Sequence, residues 1–74
     1  MKHNDLIKWV GQNVKARRVS KGLTQYGLGS KIGMAGRHVG FIERGEMNST
    51  LKTLNKVSHG LGFSIRDLLP VDGK

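Results

Sequence analysis

Apolar positions along the chain recur at helical spacing, in blocks separated by glycines. Ile7, Val10, Val14 and Arg18 fall at i, i+3, i+7 and i+11, one stripe of a helix from about Leu6 to Lys21. Asp5 stands where an N-cap belongs, and Gly22 where a C-terminal glycine stops a helix. Thr24 is a good cap for a second helix, about Gln25 to Lys31, with Leu28 and Ile32 on its buried side and Gly33 as its turn. A third helix is expected from about Ala35 to Arg44. Its apolar stripe is Ala35, Val39 and Ile42, and Gly45 ends it. After the loop GEMNS, Thr50 caps a fourth helix, about Leu51 to His59, with Leu51, Leu54, Val57 and Leu61 at core spacing. Ser64 and Asp67 have the spacing of a capping box for a short fifth helix, Ile65 to Leu69. Pro70 stops it, and VDGK is a tail.

No segment alternates with period two and no repeat is present. The pattern predicts an all-α chain of five short helices in one domain, residues 1–74, with the core at about 5–69. A core this small supplies only a few kcal/mol, so dimerisation or ligand binding is expected to add to it. Cysteine is absent, which removes disulfides and thiolate metal sites.

Charge changes the picture most. The 13 Lys and Arg outweigh 5 Asp and Glu, for a net charge of +8 and a pI near 10.5. Between Leu6 and Ile42 there are seven basic residues and no acid. Such a balance suits a polyanionic partner, nucleic acid first. No apolar run approaches a membrane span, and MKHNDLIKWVGQ lacks a signal-peptide core, so a cytoplasmic or nucleoid location is expected. An enzyme is disfavoured. Asp5, Glu43, Glu46, Asp67 and Asp72 are scattered, and His3, His38 and His59 lack metal-ligand spacing. No cofactor is expected, and so small a bundle has little room for a pocket.

Within the basic stretch, residues 23–45 read as helix, glycine turn, helix, closing glycine. That layout is a helix-turn-helix, whose second helix enters the DNA major groove. At about 100° per residue, Arg37, Gly40, Phe41 and Arg44 lie opposite the apolar stripe of the third helix and face out. Arg37 near the helix start can reach guanine O6 and N7 bidentately, and Phe41 can pack on a thymine methyl. His38 lies toward the flank, within reach of phosphate. Lys31 and Lys15 are weaker phosphate candidates.

The ordered set GLTQ (22–25), Leu28, a small residue at 29, KIG (31–33), apolar 39 and 42, ERG (43–45), NSTLKTL (48–54) and GLGFSIRDLL (60–69) resembles the lambda-repressor-like, Cro-type helix-turn-helix family, also called the xenobiotic-response-element family. The likeness covers about residues 10–69. It implies that Gln25 clamps a backbone phosphate from the start of helix 2, beside its cap Thr24, where free N–H groups and the helix dipole favour an anion. It places Asn48 and Ser49 in a phosphate-contacting loop, with Arg44 nearby. Ala35 and Gly36 fall where relatives carry base-contacting side chains, so they offer only a small apolar contact or backbone. A charged residue on a core face needs a partner, and the family's matching pair implies a structural ion pair between Arg18 and Glu43. The family carries a small residue at 29 so that helices 2 and 3 approach closely. Gly27, Gly36 and Gly40 depart from it, since each interior glycine costs about 0.5–1 kcal/mol relative to alanine.

These features imply a sequence-specific regulator of double-stranded DNA, acting as a homodimer on a palindromic operator. The dimer contacts are expected from Phe63, Ile65, Leu68 or Leu69. Readout should be sparse, with Arg37 as main reader and phosphate contacts, dimer geometry and DNA shape contributing more than usual. A phage repressor, a restriction–modification controller or an antitoxin with a toxin partner would each suit such a chain. The alternative from another class is a protein-interaction adaptor on the same fold.

Overall fold

The computed structural model describes residues 2–69. Four helices and a final 3-10 turn follow in order: α1 (His3–Ser20), α2 (Gln25–Ile32), α3 (Gly36–Glu43), α4 (Leu51–Gly60) and the turn Ile65–Leu68. No strand occurs among the described residues. The fold is all-helical, with the last helix of the sequence reading reduced to a single 3-10 turn.

α1 starts earlier than expected. Lys2 is the N-cap, with no side-chain cap bond, and Asp5 sits in the first turn instead. The backbone bond from Leu6 N–H to Lys2 C=O closes that turn without help from Asp5, whose charge still complements the helix dipole. Gly22, at φ +73°, takes the left-handed conformation that ends α1, and the Leu23 N–H returns to the Arg18 carbonyl.

Thr24 caps α2, its hydroxyl accepting from Gly27 N–H at 2.8 Å. Gly33, at φ +72°, makes the turn into α3. α3 begins at Gly36, not Ala35. Ala35 is the extended N-cap and is exposed, so it leaves the apolar stripe, which consists of Val39 and Ile42. Thr50 caps α4 through Thr53 N–H. Leu51, expected at core spacing, is 67% exposed because it opens the helix on the outer side of the bundle. The capping box at Ser64 does not form. The Ser64 hydroxyl accepts from Arg66 N–H, and Asp67 N–H goes to the Ser64 carbonyl, so the segment winds as a 3-10 turn. Pro70 and the tail lie outside the described residues.

Val10, Val14, Leu28, Val39, Ile42, Leu54, Val57, Leu61 and Leu68 form one buried core. Full burial of such side chains contributes about 1.5–3 kcal/mol each before conformational entropy is subtracted. α3 packs on both α1 and α2, and α4 packs on α2 and the final turn. Two contacts set the position of α3 closely. A Cβ on Gly29 would overlap the Met34 carbonyl oxygen, and one on Gly11 would lie 2.6 Å from the Glu43 carbonyl oxygen. Both ends of α3 therefore rest on the backbone of a neighbouring helix, at distances only glycine permits.

Candidate nucleic-acid interface

Electrostatics inside the bundle brace α3 first. Arg18 Nε lies 2.6 Å from Glu43 Oε2, with the two side chains 10% and 2% exposed. Arg18 Nη2 donates to Glu43 Oε1 at 3.2 Å, and Nη1 to the Leu23 carbonyl at 2.7 Å. The guanidinium thus ties the end of α1, the loop before α2 and the end of α3. A buried guanidinium and carboxylate each carry a large desolvation cost, offset here by bidentate geometry and added hydrogen bonds.

Gln25, the first residue of α2, donates its side-chain amide to Glu43 Oε1 at 3.1 Å. It reaches across α3 at Gly40, where a Cβ would lie 3.1 Å from Gln25 Oε1 and 3.0 Å from Arg44 Nη1. Gly40 is accordingly buried, not outward as its helical position suggested. The adjacent Tyr26 ring lies over Gly36, where a Cβ would stand 2.6 Å from Tyr26 Cγ. Gly36 is therefore buried under an α2 side chain and presents no free backbone face. Two of the three glycines that depart from the family pattern thus make room for side chains of α2.

Arg37, Phe41 and Arg44 occupy the outer face. Arg37 is exposed and makes no side-chain hydrogen bond or ion pair among the described residues. Phe41 is 37% exposed, with the Arg44 guanidinium 5.4 Å from its ring centroid. Arg44 Nε also pairs with Glu46 Oε1 at 3.0 Å, both side chains about half exposed. His38 is half-buried.

Of the seven basic residues between Leu6 and Ile42, Lys8, Lys15, Lys21, Lys31 and Arg37 are exposed. Arg17 is half-buried, its guanidinium 4.0 Å from the Phe63 ring centroid. Only Arg18 is neutralised inside. Lys31 stands on the last turn of α2, at the other end from Gln25. Asn48 is exposed, and Ser49 is half-buried with a hydroxyl oxygen that finds no partner among the described residues.

Asn48 and Ser49 also border a half-open cavity of about 160 Å³, lined mainly by Leu6, Ile7, Val10 and Ile42. The small bundle has more room than its length suggested, and Leu51 borders that space. Leu68, a candidate dimer contact, is fully buried in its own core, while Phe63, Ile65 and Leu69 are half-buried. Among the described residues no group of three or more His, Cys, Asp or Glu could hold a metal ion, and no helix is long and apolar enough to cross a membrane.

Tyr26 belongs to no motif or apolar stripe of the sequence. Among the described residues it is the most exposed large apolar residue, at 74%, and it sits against the start of α3. The signal available was Gly36, a glycine at a position expected to contact bases.

Comparisons with known proteins agree with this layout. A helix-turn-helix family profile matches residues 14–68. Over 69 residues the chain is 36% identical to the HTH-type transcriptional regulator y4dJ of Sinorhizobium fredii, covering 92% of this chain and 90% of that protein. It is 38% identical over 56 residues to the immunity repressor protein of Bacillus phage phi105, covering 76% of this chain and 39% of the repressor. The crystal structure of the restriction-modification controller protein C.AhdI from Aeromonas hydrophila, 30% identical, matches with a TM-score of 0.87 over 93% of this chain and 100% of its own. With α2, the Gly33 turn and α3 arranged as described, the chain belongs to the helix-turn-helix family of DNA-binding transcriptional regulators.

Proposed function

We propose that the protein is a sequence-specific transcriptional repressor that reads double-stranded DNA by laying α3 in the major groove. The observation that carries this reading is the outer face of α3. Arg37 is exposed and has no ion-pair partner among the described residues, one turn before Phe41, on a helix held from behind by Arg18 and Glu43. A free guanidinium near a helix start suits the O6 and N7 of a guanine, and Phe41 suits a thymine methyl. The Ala35 methyl, exposed at the N-cap, adds a small apolar contact. Gly36 is left out of the reading set because Tyr26 covers it.

Phosphate contacts fall to the first N–H groups of α2, with Thr24 and Gln25 beside them, and to His38, Arg44, Asn48, Ser49 and Lys31. The Gln25 amide, already bonded to Glu43, acts there as a brace that keeps the start of α2 beside α3.

One helix of this length reads only a few base pairs, so the working unit is a homodimer on two half-sites about 34–36 Å apart. Phe63, Ile65 and Leu69 are the candidates for its interface. The proposed reaction class is binding without catalysis, and a DNA partner is consistent with action in the cytoplasm. The test is selection of bound fragments from a random duplex pool, repeated with Arg37→Ala. A palindromic consensus is expected, with one base pair per half-site relaxed in the variant. An unchanged consensus in the variant removes Arg37 as reader, and no consensus at all removes the function.

A further inference from the structure

We propose that Tyr26 is a DNA-specificity residue, an aromatic reader on α2 that stands in for the side chain missing from α3 at Gly36. This rests on the reading of α3 as the recognition helix.

Three observations converge on Tyr26. The residue is 74% exposed, so its ring is open to a partner. The ring nonetheless has a fixed seat. It lies on Gly36, where a Cβ would come within 2.6 Å of Tyr26 Cγ and 2.8 Å of Cε1. The phenol makes no hydrogen bond among the described residues, so its donor is available. The seat is the first turn of α3, one residue before Arg37. The start of a recognition helix is the part that meets base edges.

A ring seated on the helix start offers apolar surface and one O–H donor to the DNA. Every acceptor in the major groove, and every phosphate, can take that donor. What makes Tyr26 a reader instead of a phosphate contact is its seat on Gly36, the residue before Arg37. Its ring fixes where the hydroxyl points, as the side chain of a residue at 36 would. Gly36 is then part of the device, because any larger residue would lift the ring from its seat.

The test compares Tyr26→Ala, Tyr26→Phe, Gly36→Ala and the double variant Y26A/G36A, each in duplex-pool selection and in binding titration at fixed salt. Arg37→Ala serves as control. Tyr26→Ala is expected to lose affinity about tenfold or more and to relax preference at one base pair, next to the pair relaxed by Arg37→Ala. Tyr26→Phe keeps the ring and is expected to lose about threefold to tenfold, the value of one hydrogen bond. Gly36→Ala should weaken binding in the wild-type background and have no effect once Tyr26 is alanine. Thermal melts of Tyr26→Ala should match the wild type, since the side chain is exposed, so lost binding is not lost folding.

Uniform loss across sequences with the consensus unchanged would make Tyr26 a phosphate contact and overturn the proposal. Unchanged affinity in Tyr26→Ala while Arg37→Ala fails would overturn it and leave the recognition helix standing. If the wild type selects no sequence, the recognition-helix reading falls and Tyr26 with it.

Discussion

The side-chain amide of Gln25 crosses α3 at Gly40 and donates to the Glu43 carboxylate at 3.1 Å. α2 thus holds α3 by a side chain that lies close against the glycine opposite. The same carboxylate takes Arg18, so three elements share one buried acid.

Glycines in these helices should respond differently to alanine. At Gly40 the new Cβ meets only the ends of the Gln25 and Arg44 side chains, both able to move. The gain in helix propensity, about 0.5–1 kcal/mol, opposes the loosened amide bond, so Gly40→Ala should stay within about 1 kcal/mol of wild type. At Gly29 the Cβ meets the Met34 carbonyl, which the turn holds in place. Gly29→Ala should cost more than about 2 kcal/mol, the range of overpacking. Urea denaturation of the two variants checks the contrast, and equal losses would contradict it.

Breaking the internal ion pair should threaten folding. Glu43→Gln leaves the Arg18 guanidinium buried against a neutral amide. A loss of about 3–5 kcal/mol is expected for removal of one buried partner. That is a large share of a total that is about 5–15 kcal/mol for ordinary domains. The double variant R18M/E43Q should recover part of the loss. A double-mutant cycle by denaturation measures the coupling, and a value near zero would show that each residue acts alone.

Thr24 and Thr50 have the same capping geometry, and alanine at either should cost about 0.5–2 kcal/mol. They should differ in binding. Thr24 opens the helix proposed to meet phosphate, so Thr24→Ala should also weaken DNA affinity after correction for the folded fraction. Thr50→Ala should not. Binding titration beside thermal melts separates the two effects.

Glu46 restrains Arg44 on the outer face. Exposed pairs of this kind contribute at most about 1 kcal/mol, so Glu46→Gln should leave stability nearly unchanged. It removes a negative charge beside a surface proposed to meet phosphates and frees the guanidinium. DNA affinity should rise a few-fold at low salt, and the dependence on salt should steepen as one more counterion is released. An affinity that falls would place Arg44 away from DNA.

The elements were largely legible from the residues. Thr24, Gly33, Thr50 and the apolar stripes put α2 at Gln25–Ile32 and α4 at Leu51–Gly60, within a residue or so of their expected ends. The start of α1 was missed because a good cap residue, Asp5, need not cap when the chain can already form a turn before it. Ala35 and Leu51 fit apolar stripes by spacing, yet the first residues of a helix sit at its rim, where the core does not reach. At the candidate site, helical geometry places Arg37, Phe41 and Arg44 outward, because that depends on one helix alone. The burial of Gly36 and Gly40 depends on how α2 lies against α3, and no periodicity within α3 encodes it. The half-open cavity likewise arises between elements, from side chains of α1, α3 and α4 and the loop before α4.

α3 touches its neighbours at both ends through main-chain atoms, at Gly11 and Gly29, so its place in the fold is independent of the side chains on its outer face. Arg37 and Phe41 can then be exchanged for other residues while the helix keeps its position. On the proposed reading of α3, a change of operator then needs only surface substitutions, and diversification of binding specificity is uncoupled from the risk of misfolding.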